Sequence, residues 1–214
     1  MAGSFSPLKP TGNRAVITID QITAALHQAC PIYPEAGLNA VPARPAAALI
    51  LLAEAKDGLH LLLTKRAEHL RHHPGQVSLP GGKPERGDAN PGATARREAE
   101  EETGLRQHDM HHIGYLAPVL TSSNFQLITA VARMEKSVTV ADAELVPERN
   151  EVDDVWFQPL HHLLDLNNYI EQSVRRGAVM RQFWTIADTD PVVWGATASV
   201  LRQLAFGLKS GQAV

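Results

Sequence analysis

Cysteine is almost missing from the 214-residue sequence, since Cys30 is the only one, and no intrachain disulfide can form. This composition fits a reducing cellular interior. The chain also lacks an HExxH motif and any cysteine pair, so we expect no structural zinc site. Its net charge of −3 gives no electrostatic reason to expect nucleic-acid binding. The longest apolar run, residues 46–53, is too short to span a bilayer, and the first residues lack a signal pattern. We therefore predict a cytoplasmic protein that binds neither nucleic acid nor membrane.

The length and the hydrophobic content indicate one main domain with an N-terminal extension. With 44% hydrophobic residues, the chain can bury a sizeable core. Glycine, serine, proline and threonine over residues 1–13 predict a flexible tail. Residues 14–45 are predicted to form a helix, from the helical spacing of Ile19, Ile22 and Leu26, and then a proline-rich connector. We assign residues 46–210 to the main domain and find no internal repeat.

The main domain contains apolar segments of strand length separated by turn residues. The predicted strands are 46–54, 59–66, 112–120, 124–134, a strand beginning near Glu151, and 180–187. A polar loop is predicted at 135–150, a short helix near Pro159, and a last helix opening at Trp194 with Val200, Leu201, Leu204 and Leu208 on its apolar face. This alternation predicts an α/β fold in which helices enclose a mixed β-sheet, an α/β/α sandwich.

A crowded set of carboxylates follows a glycine turn in the middle of the chain. Asn90 is a good N-cap before Pro91, and Gly104 is a good C-cap, so the sequence predicts a helix over 91–103. This helix presents Glu98, Glu101 and Glu102 on one face. One interpretation is a solvated face, with i,i+4 pairs to neighbouring arginines. The other is a Mg²⁺ or Mn²⁺ site beside the turn at residues 80–82, because such ions bind a few carboxylates and leave positions for substrate phosphates.

The residues of this helix resemble the Nudix box. Its second half, Arg-Glu, an apolar residue, any residue, Glu-Glu, any residue, Gly and an apolar residue, is similar to residues 97–105, REAEEETGL. The first half departs from the pattern. Counting from Gly82, the acidic position falls on Asp88 instead of a glutamate, and eight residues instead of seven separate it from Arg97.

The segment before the box resembles a narrower signature, that of the coenzyme A pyrophosphatase branch of the Nudix superfamily. The similarity covers residues 62–82, LLTKRAEHLRHHPGQVSLPGG, and the same branch has the longer box. Trp194-Gly195 and the Thr-Ala that follows also resemble this branch, although we interpret them first as helix packing. Arg66 and Arg71 precede the glycine turn, and each could be a surface salt-bridge partner. Guanidinium groups bind phosphate oxygens in a bidentate manner, so we predict instead that both converge on the turn and bind substrate phosphates.

The resemblance implies hydrolysis of the diphosphate bond of coenzyme A or a derivative, giving 4′-phosphopantetheine (or its acyl form) and adenosine 3′,5′-bisphosphate. By the same resemblance, Glu98, Glu101, Glu102 and the Gly82 carbonyl bind Mg²⁺ or Mn²⁺. Gly81 and Gly82 form the turn that lies against the substrate. The general base is Glu101 or, from outside the box, Glu151, and Arg97 orients the glutamates.

Other functions stay open at the level of sequence. A Nudix hydrolase could act on ADP-ribose, a dinucleotide or a nucleoside triphosphate instead. A non-catalytic Nudix module for ligand binding is a further alternative, although such modules usually lose box glutamates. Nudix relatives are often dimers, so a homodimer is among the assemblies that the resemblance allows.

Overall fold

The structure is a computed structural model that describes residues 17–29, 43–121, 123–136, 138–176 and 179–210. The predicted tail and most of the predicted connector lie outside these residues. The elements are, in chain order, α1 (Ile19–Ala29), β1 (Arg44–Ala55), β2 (Gly58–Arg66), β3 (Val77–Ser78), β4 (Gly81–Gly82), α2 (Pro91–Thr103), β5 (Met110–Tyr115), β6 (Val119–Leu120), β7 (Phe125–Met134), β8 (Val152–Pro159), α3 (Leu160–Leu163), β9 (Tyr169–Arg176), β10 (Val179–Ile186), β11 (Val193–Trp194) and α4 (Gly195–Ser210). Two 3₁₀ turns lie at Gln107–Asp109 and Leu166–Asn168.

Strand β1 lies at the centre of the larger sheet and is buried on both of its faces. The main strand order is β3-β2-β1-β7-β5, while β4 joins at β1, β6 at β7 and β8 at β2. The β1–β7 pair is parallel and the other pairs are antiparallel, so the sheet is mixed. Successive residues of a strand point to opposite faces, and accordingly Ile50 and Leu52 enter one core while Leu49 and Leu51 enter another.

The helices cover the two faces of this sheet. Ala95 and Ala99 of α2 pack in the core that contains Leu49. Leu26 of α1 and Leu201 of α4 pack in the core on the other face, together with residues of α3. The predicted fold class, an α/β/α sandwich with a mixed sheet, is therefore confirmed. No helix in the described part of the chain is long and apolar enough to cross a membrane.

A smaller sheet of order β11-β10-β9 covers part of α4. Ile186 and Val193 are each 1% exposed, and the Arg202 guanidinium of α4 lies 4.1 Å from the centre of the Trp184 ring. The sequence analysis missed strand β9, since its segment YIEQSVRR is mostly polar and is exposed along most of its length.

Several predicted elements are confirmed, and two need correction. The β1–β2 hairpin turns at residues 55–58, α2 has the predicted bounds, and β8 leads into α3. The single strand predicted at 112–120 was wrong, because β5 ends at Tyr115 and β6 begins at Val119. Pro118 lies in the break, and a proline has no N–H to donate within a sheet. Pro45, which we assigned to the connector, lies within β1, where it pairs with Gln126.

Candidate active site

Local sequence signals position helix α2. The Asn90 side chain accepts a hydrogen bond from the Ala93 amide at 2.9 Å, and Pro91 occupies the first turn, where its missing N–H costs nothing. At the other end Gly104 adopts a left-handed conformation, with φ of 76°, and its amide donates to the Glu100 carbonyl at 2.8 Å. These caps determine where the helix begins and ends, and therefore which of its residues face the sheet.

The polar loop before β8 is bound to the C-terminal end of α2. The Val146 amide donates to the Thr103 carbonyl at 2.8 Å, and the Glu148 amide donates to the Glu102 carbonyl at 3.1 Å. These carbonyls have no partner within the helix, so the loop satisfies groups that would otherwise need water. The Glu151 carbonyl accepts from the Ala67 amide at 2.9 Å, which joins the same loop to the end of β2. Glu151 is thereby held beside the helix that carries the box glutamates.

Two box glutamates form the buried part of the site. Glu102 is 4% exposed, and the Glu98 side chain is 15% exposed. Burial raises the pKa of Glu102 to about 8, with a further contribution from the charges of Glu98 and Glu151. Burial also raises the pKa of Glu98, against the lowering effect of Arg97. Glu102 Oε2 is buried without a hydrogen-bond partner among the described residues. The two carboxylates therefore form a desolvated acidic pair, which we call the buried glutamate pair.

The glycine turn lies directly against this pair. Strand β4 pairs Gly82 with Ala47, and a Cβ on Gly81 would overlap the Ala47 carbonyl oxygen. A Cβ on Gly82 would overlap the Glu98 carboxylate. Gly81 therefore needs glycine, because the overlap is with backbone, whereas a side chain at position 82 would displace the Glu98 carboxylate. A hydrogen bond from the Gly81 backbone also lowers the pKa of Glu102, opposing the effect of burial.

Arg97 organises the acidic groups at the edge of the site. Its guanidinium donates to Glu101 at 2.7 Å, to Glu98 at 3.0 Å and to the Lys83 carbonyl at 3.0 Å. It also donates twice to Asp88, each time at 3.2 Å. This pairing holds the pKa of Asp88 at about 2 and raises the pKa of Arg97. The structure thus places Asp88 on Arg97, which also donates to Glu98 of the buried glutamate pair.

Of the two arginines predicted to bind phosphate, Arg66 lies near the glutamates. It is partly buried, its Nε atom is buried without a hydrogen-bond partner among the described residues, and its charge lowers the pKa of Glu102. Arg71 is exposed, and no contact in the described part of the chain joins it to the glutamates. An arginine with an unused donor beside a carboxylate pair suits a phosphate that lies between them.

The chemistry of this corner fits a divalent cation, although the three glutamates do not converge. Within the described ranges, no three His, Cys, Asp or Glu side chains are grouped to hold a metal ion. Glu101 is 55% exposed and is turned toward Arg97. Ionisation of both members of the buried glutamate pair would nevertheless place two negative charges beside Arg66 and Arg97, and Glu102 Oε2 lacks a hydrogen-bond partner among the described residues. A hard divalent cation bound by these carboxylate oxygens would neutralise their charge and would give the unpaired oxygen a partner.

The backbone contacts that shape the site escaped the sequence analysis. Loop amides cap α2, and the Thr197 hydroxyl of α4 donates to the Val77 carbonyl of β3 at 3.1 Å. Thr197 belongs to the motif at Trp194, and this contact is a packing role of the kind that we expected. Every residue except proline has a backbone N–H, so the sequence could not show which loop amides would cap α2.

Comparison with known proteins shows which family the chain belongs to. The family model of the NUDIX domain matches residues 42–176. The chain belongs to the Nudix hydrolase family, whose members are pyrophosphohydrolases of nucleoside diphosphate-linked substrates.

Two curated relatives are both named uncharacterized Nudix hydrolase NudL. The protein of Yersinia enterocolitica serotype O:8 / biotype 1B is 37% identical over 145 residues, which cover 68% of this chain and 72% of the relative. That of Yersinia pestis strain Pestoides F is 35% identical over 145 residues, covering 68% and 70%.

Solved structures resemble the chain more distantly. The Nudix hydrolase RenU of M. smegmatis has a TM-score of 0.46 at 24% identity, covering 57% of this chain and 74% of its own. The C. elegans Ap4A hydrolase binary complex has a TM-score of 0.48 at 15% identity, covering 77% and 98%.

Proposed function

We propose that this protein hydrolyses the diphosphate bond of coenzyme A or a coenzyme A derivative with Mg²⁺ or Mn²⁺. The products would be 4′-phosphopantetheine, or its acyl form, and adenosine 3′,5′-bisphosphate. The observation that carries this proposal is the buried glutamate pair, which lies against the glycine turn with the unused Nε donor of Arg66 nearby. Coenzyme A as the substrate is supported by the similarity of residues 62–82 to the coenzyme A pyrophosphatase signature.

Glu98, Glu102 and the Gly82 carbonyl would hold the divalent cation, and Glu101 would join them on leaving Arg97. When bound, the cation supplies neutralisation of charge on the diphosphate oxygens and makes a water molecule more acidic. Glu98 and Glu102 are poised for this role, since burial has already removed most of their solvent. Cation binding would offset the free-energy cost of ionising two buried carboxylates.

The remaining residues position the substrate and accept the proton. Arg66 would bind phosphate oxygens, and the exposed Arg71 is a second candidate for this role. The backbone at Gly81 and Gly82, which carries no side chains, would let the diphosphate approach closely. Arg97 would orient Glu98 and Glu101 through the hydrogen bonds described above. We assign the general base to Glu151, because Glu101 is bound to Arg97 while the charge of Glu151 reaches both buried glutamates.

The test is a hydrolysis panel with product identification. Purified protein, Mg²⁺ and coenzyme A are incubated in ¹⁸O-water, and mass spectrometry identifies the two products and the one that carries the label. We expect 4′-phosphopantetheine and adenosine 3′,5′-bisphosphate, with loss of activity in the Glu102→Gln variant. Coenzyme A left intact beside rapid cleavage of ADP-ribose, a dinucleotide or a nucleoside triphosphate would assign one of those substrates instead. Nucleotide binding without Mg²⁺ and without any cleavage would indicate a binding module.

A further inference from the structure

Strand β8 contains a β-bulge where it passes the end of β2. The ladder pairs Lys65 with Asp154 and then Arg66 with Val152, so Asp153 is an extra residue without a cross-strand partner. Bulges interrupt the hydrogen bonds of a ladder, and they are over-represented next to active sites, where they redirect side chains. This bulge lies opposite the arginine of the candidate site and two residues after the candidate general base.

The bulge determines which residue of β8 enters the core beneath helix α2. In a regular ladder the residue opposite Arg66 would be Asp153. The extra residue makes Val152 the partner instead, and Val152 is 1% exposed in the core that contains Ala95 of α2. An apolar side chain therefore fills the buried position. Glu151, which directly precedes it, is anchored beside the helix that carries the box glutamates.

Side chains satisfy backbone groups around the bulge. The Asp153 carboxylate accepts a hydrogen bond from the Glu68 amide at 3.1 Å. The Arg149 guanidinium donates to the Asp153 carbonyl. Backbone groups that a bulge removes from the ladder otherwise need water as a partner. The hydrogen bond to the Glu68 amide thus joins the bulge to the chain that leaves β2.

A second contact holds the chain on the other side of the candidate base. His69 Nε2 donates to the Asn150 carbonyl at 3.1 Å, and the Ala67 amide donates to the Glu151 carbonyl at 2.9 Å. The segment after β2 therefore binds residue 150, residue 151 and, through the bulge, residue 153. Glu151 itself is exposed, so packing does not fix its side chain. Its position depends on these contacts to its backbone and to its neighbours.

We propose that Asp153, together with His69, positions Glu151 as the general base of the reaction. The hydrogen bond of Asp153 to the Glu68 amide keeps the bulge in place, and the bulge keeps Glu151 where it accepts the proton of the attacking water. This inference rests on the proposed function, in which Glu151 is the base. Because Asp153 acts through the backbone of β8, its loss should lower kcat and leave KM nearly unchanged.

The experiment measures kcat and KM for coenzyme A with Mg²⁺ in the wild type and four variants. Asp153→Ala removes the hydrogen-bond acceptor, and Asp153→Asn keeps an acceptor oxygen at the same place. His69→Ala removes the contact to Asn150. Asp154→Ala is the matched control, because Asp154 is exposed, adjacent and in the regular part of the ladder. Both alanine variants at 153 and 69 are also made in the Glu151→Gln background.

We expect Asp153→Ala to lower kcat about tenfold and His69→Ala to lower it about threefold, each with KM within about twofold of the wild type. Asp153→Asn and Asp154→Ala should keep kcat within about twofold of the wild type. In the Glu151→Gln background, the alanine variants at 153 and 69 should cause no further loss, because the group that they position is already gone. Circular dichroism will check that each variant folds, and His69→Ala, which removes one exposed contact, decides the outcome if Asp153→Ala does not fold.

Several results would overturn the positioning role while coenzyme A hydrolysis stands. These are equal losses in both backgrounds, an equal loss in Asp154→Ala, or no rescue by Asp153→Asn. A raised KM with unchanged kcat would show that the bulge positions Arg66 for substrate binding, which also overturns the proposal.

Failure of the proposed function has a different signature, which the wild type alone reveals. If the wild type leaves coenzyme A intact but cleaves another nucleoside diphosphate-linked substrate, coenzyme A is excluded, and the same variants on that substrate decide the role of Asp153. If the wild type cleaves no such substrate, the proposed function falls and the positioning role falls with it.

Discussion

The substitution Glu102→Gln should stabilise the metal-free protein at alkaline pH while it abolishes catalysis. Burial raises the pKa of Glu102 from an ordinary value of 4.5 to about 8. The folded state therefore holds a proton that the unfolded state releases above pH 4.5. Folded protein binds more protons than unfolded protein in this interval, so the stability that the protonated group contributes is full below pH 4.5 and is lost as pH rises through about 8.

The magnitude follows from the size of this pKa change. One pKa unit corresponds to about 1.4 kcal/mol, so ionisation of Glu102 should cost the metal-free fold on the order of 4 kcal/mol by about pH 8. A glutamine has nearly the shape of the protonated glutamate and does not ionise. The variant and the wild type should therefore be equally stable near pH 4, below the ordinary pKa of 4.5, and the variant should be more stable by on the order of 4 kcal/mol near pH 8.

The assay is urea unfolding followed by circular dichroism, in EDTA and then in excess Mg²⁺, across this pH range. In EDTA the difference in unfolding free energy between variant and wild type should increase as pH rises. Mg²⁺ should stabilise the wild type more than the variant, because only the wild type offers the ionised ligand. Glu100→Gln, which removes a carboxylate from the same helix, is the control. Parallel stability curves in EDTA, or equal stabilisation by Mg²⁺, would refute the buried glutamate pair as a cation site.

Three further predictions concern neighbouring residues. The pKa of Asp88 is about 2 instead of 3.8, because the Asp88 carboxylate is paired with Arg97. Asp88→Asn should therefore lower the unfolding free energy by about 1–2 kcal/mol at neutral pH, after allowance for solvent screening. In urea titrations this difference from wild type should shrink as pH falls toward 2. Gly82→Ala should lower kcat by roughly tenfold to a hundredfold through displacement of Glu98, whereas Gly87→Ala, where a Cβ would meet nothing within 4 Å, should leave kcat unchanged. Glu151→Gln should lower kcat by roughly 10²–10³ with little change in KM; a larger loss in Glu101→Gln would transfer the role of base to Glu101.

Local signals in the sequence were sufficient for much of the fold. The N-cap at Asn90, the proline after it and the glycine at 104 predicted the bounds of α2 to the residue, because caps act on the few backbone groups nearest to them. The apolar run of β1 was recognised for a similar reason, since it is buried on both faces. The strand β9 was missed because its residues alternate too weakly in polarity to indicate a strand.

Some features of the candidate site could likewise be predicted from the sequence, and others depended on the tertiary structure. The sequence by itself determined which carboxylates share the helix face and which family the box resembles, since both depend on spacing along a few turns of chain. Only the tertiary structure decided that Glu102 is buried while Glu101 is exposed on Arg97, and that Glu151 and Arg66 come from distant segments to the same corner. Those outcomes depend on how the loop before β8 and the end of β2 pack around the helix. Packing of this kind sums many weak contacts between residues far apart in the chain, and no local pattern records it.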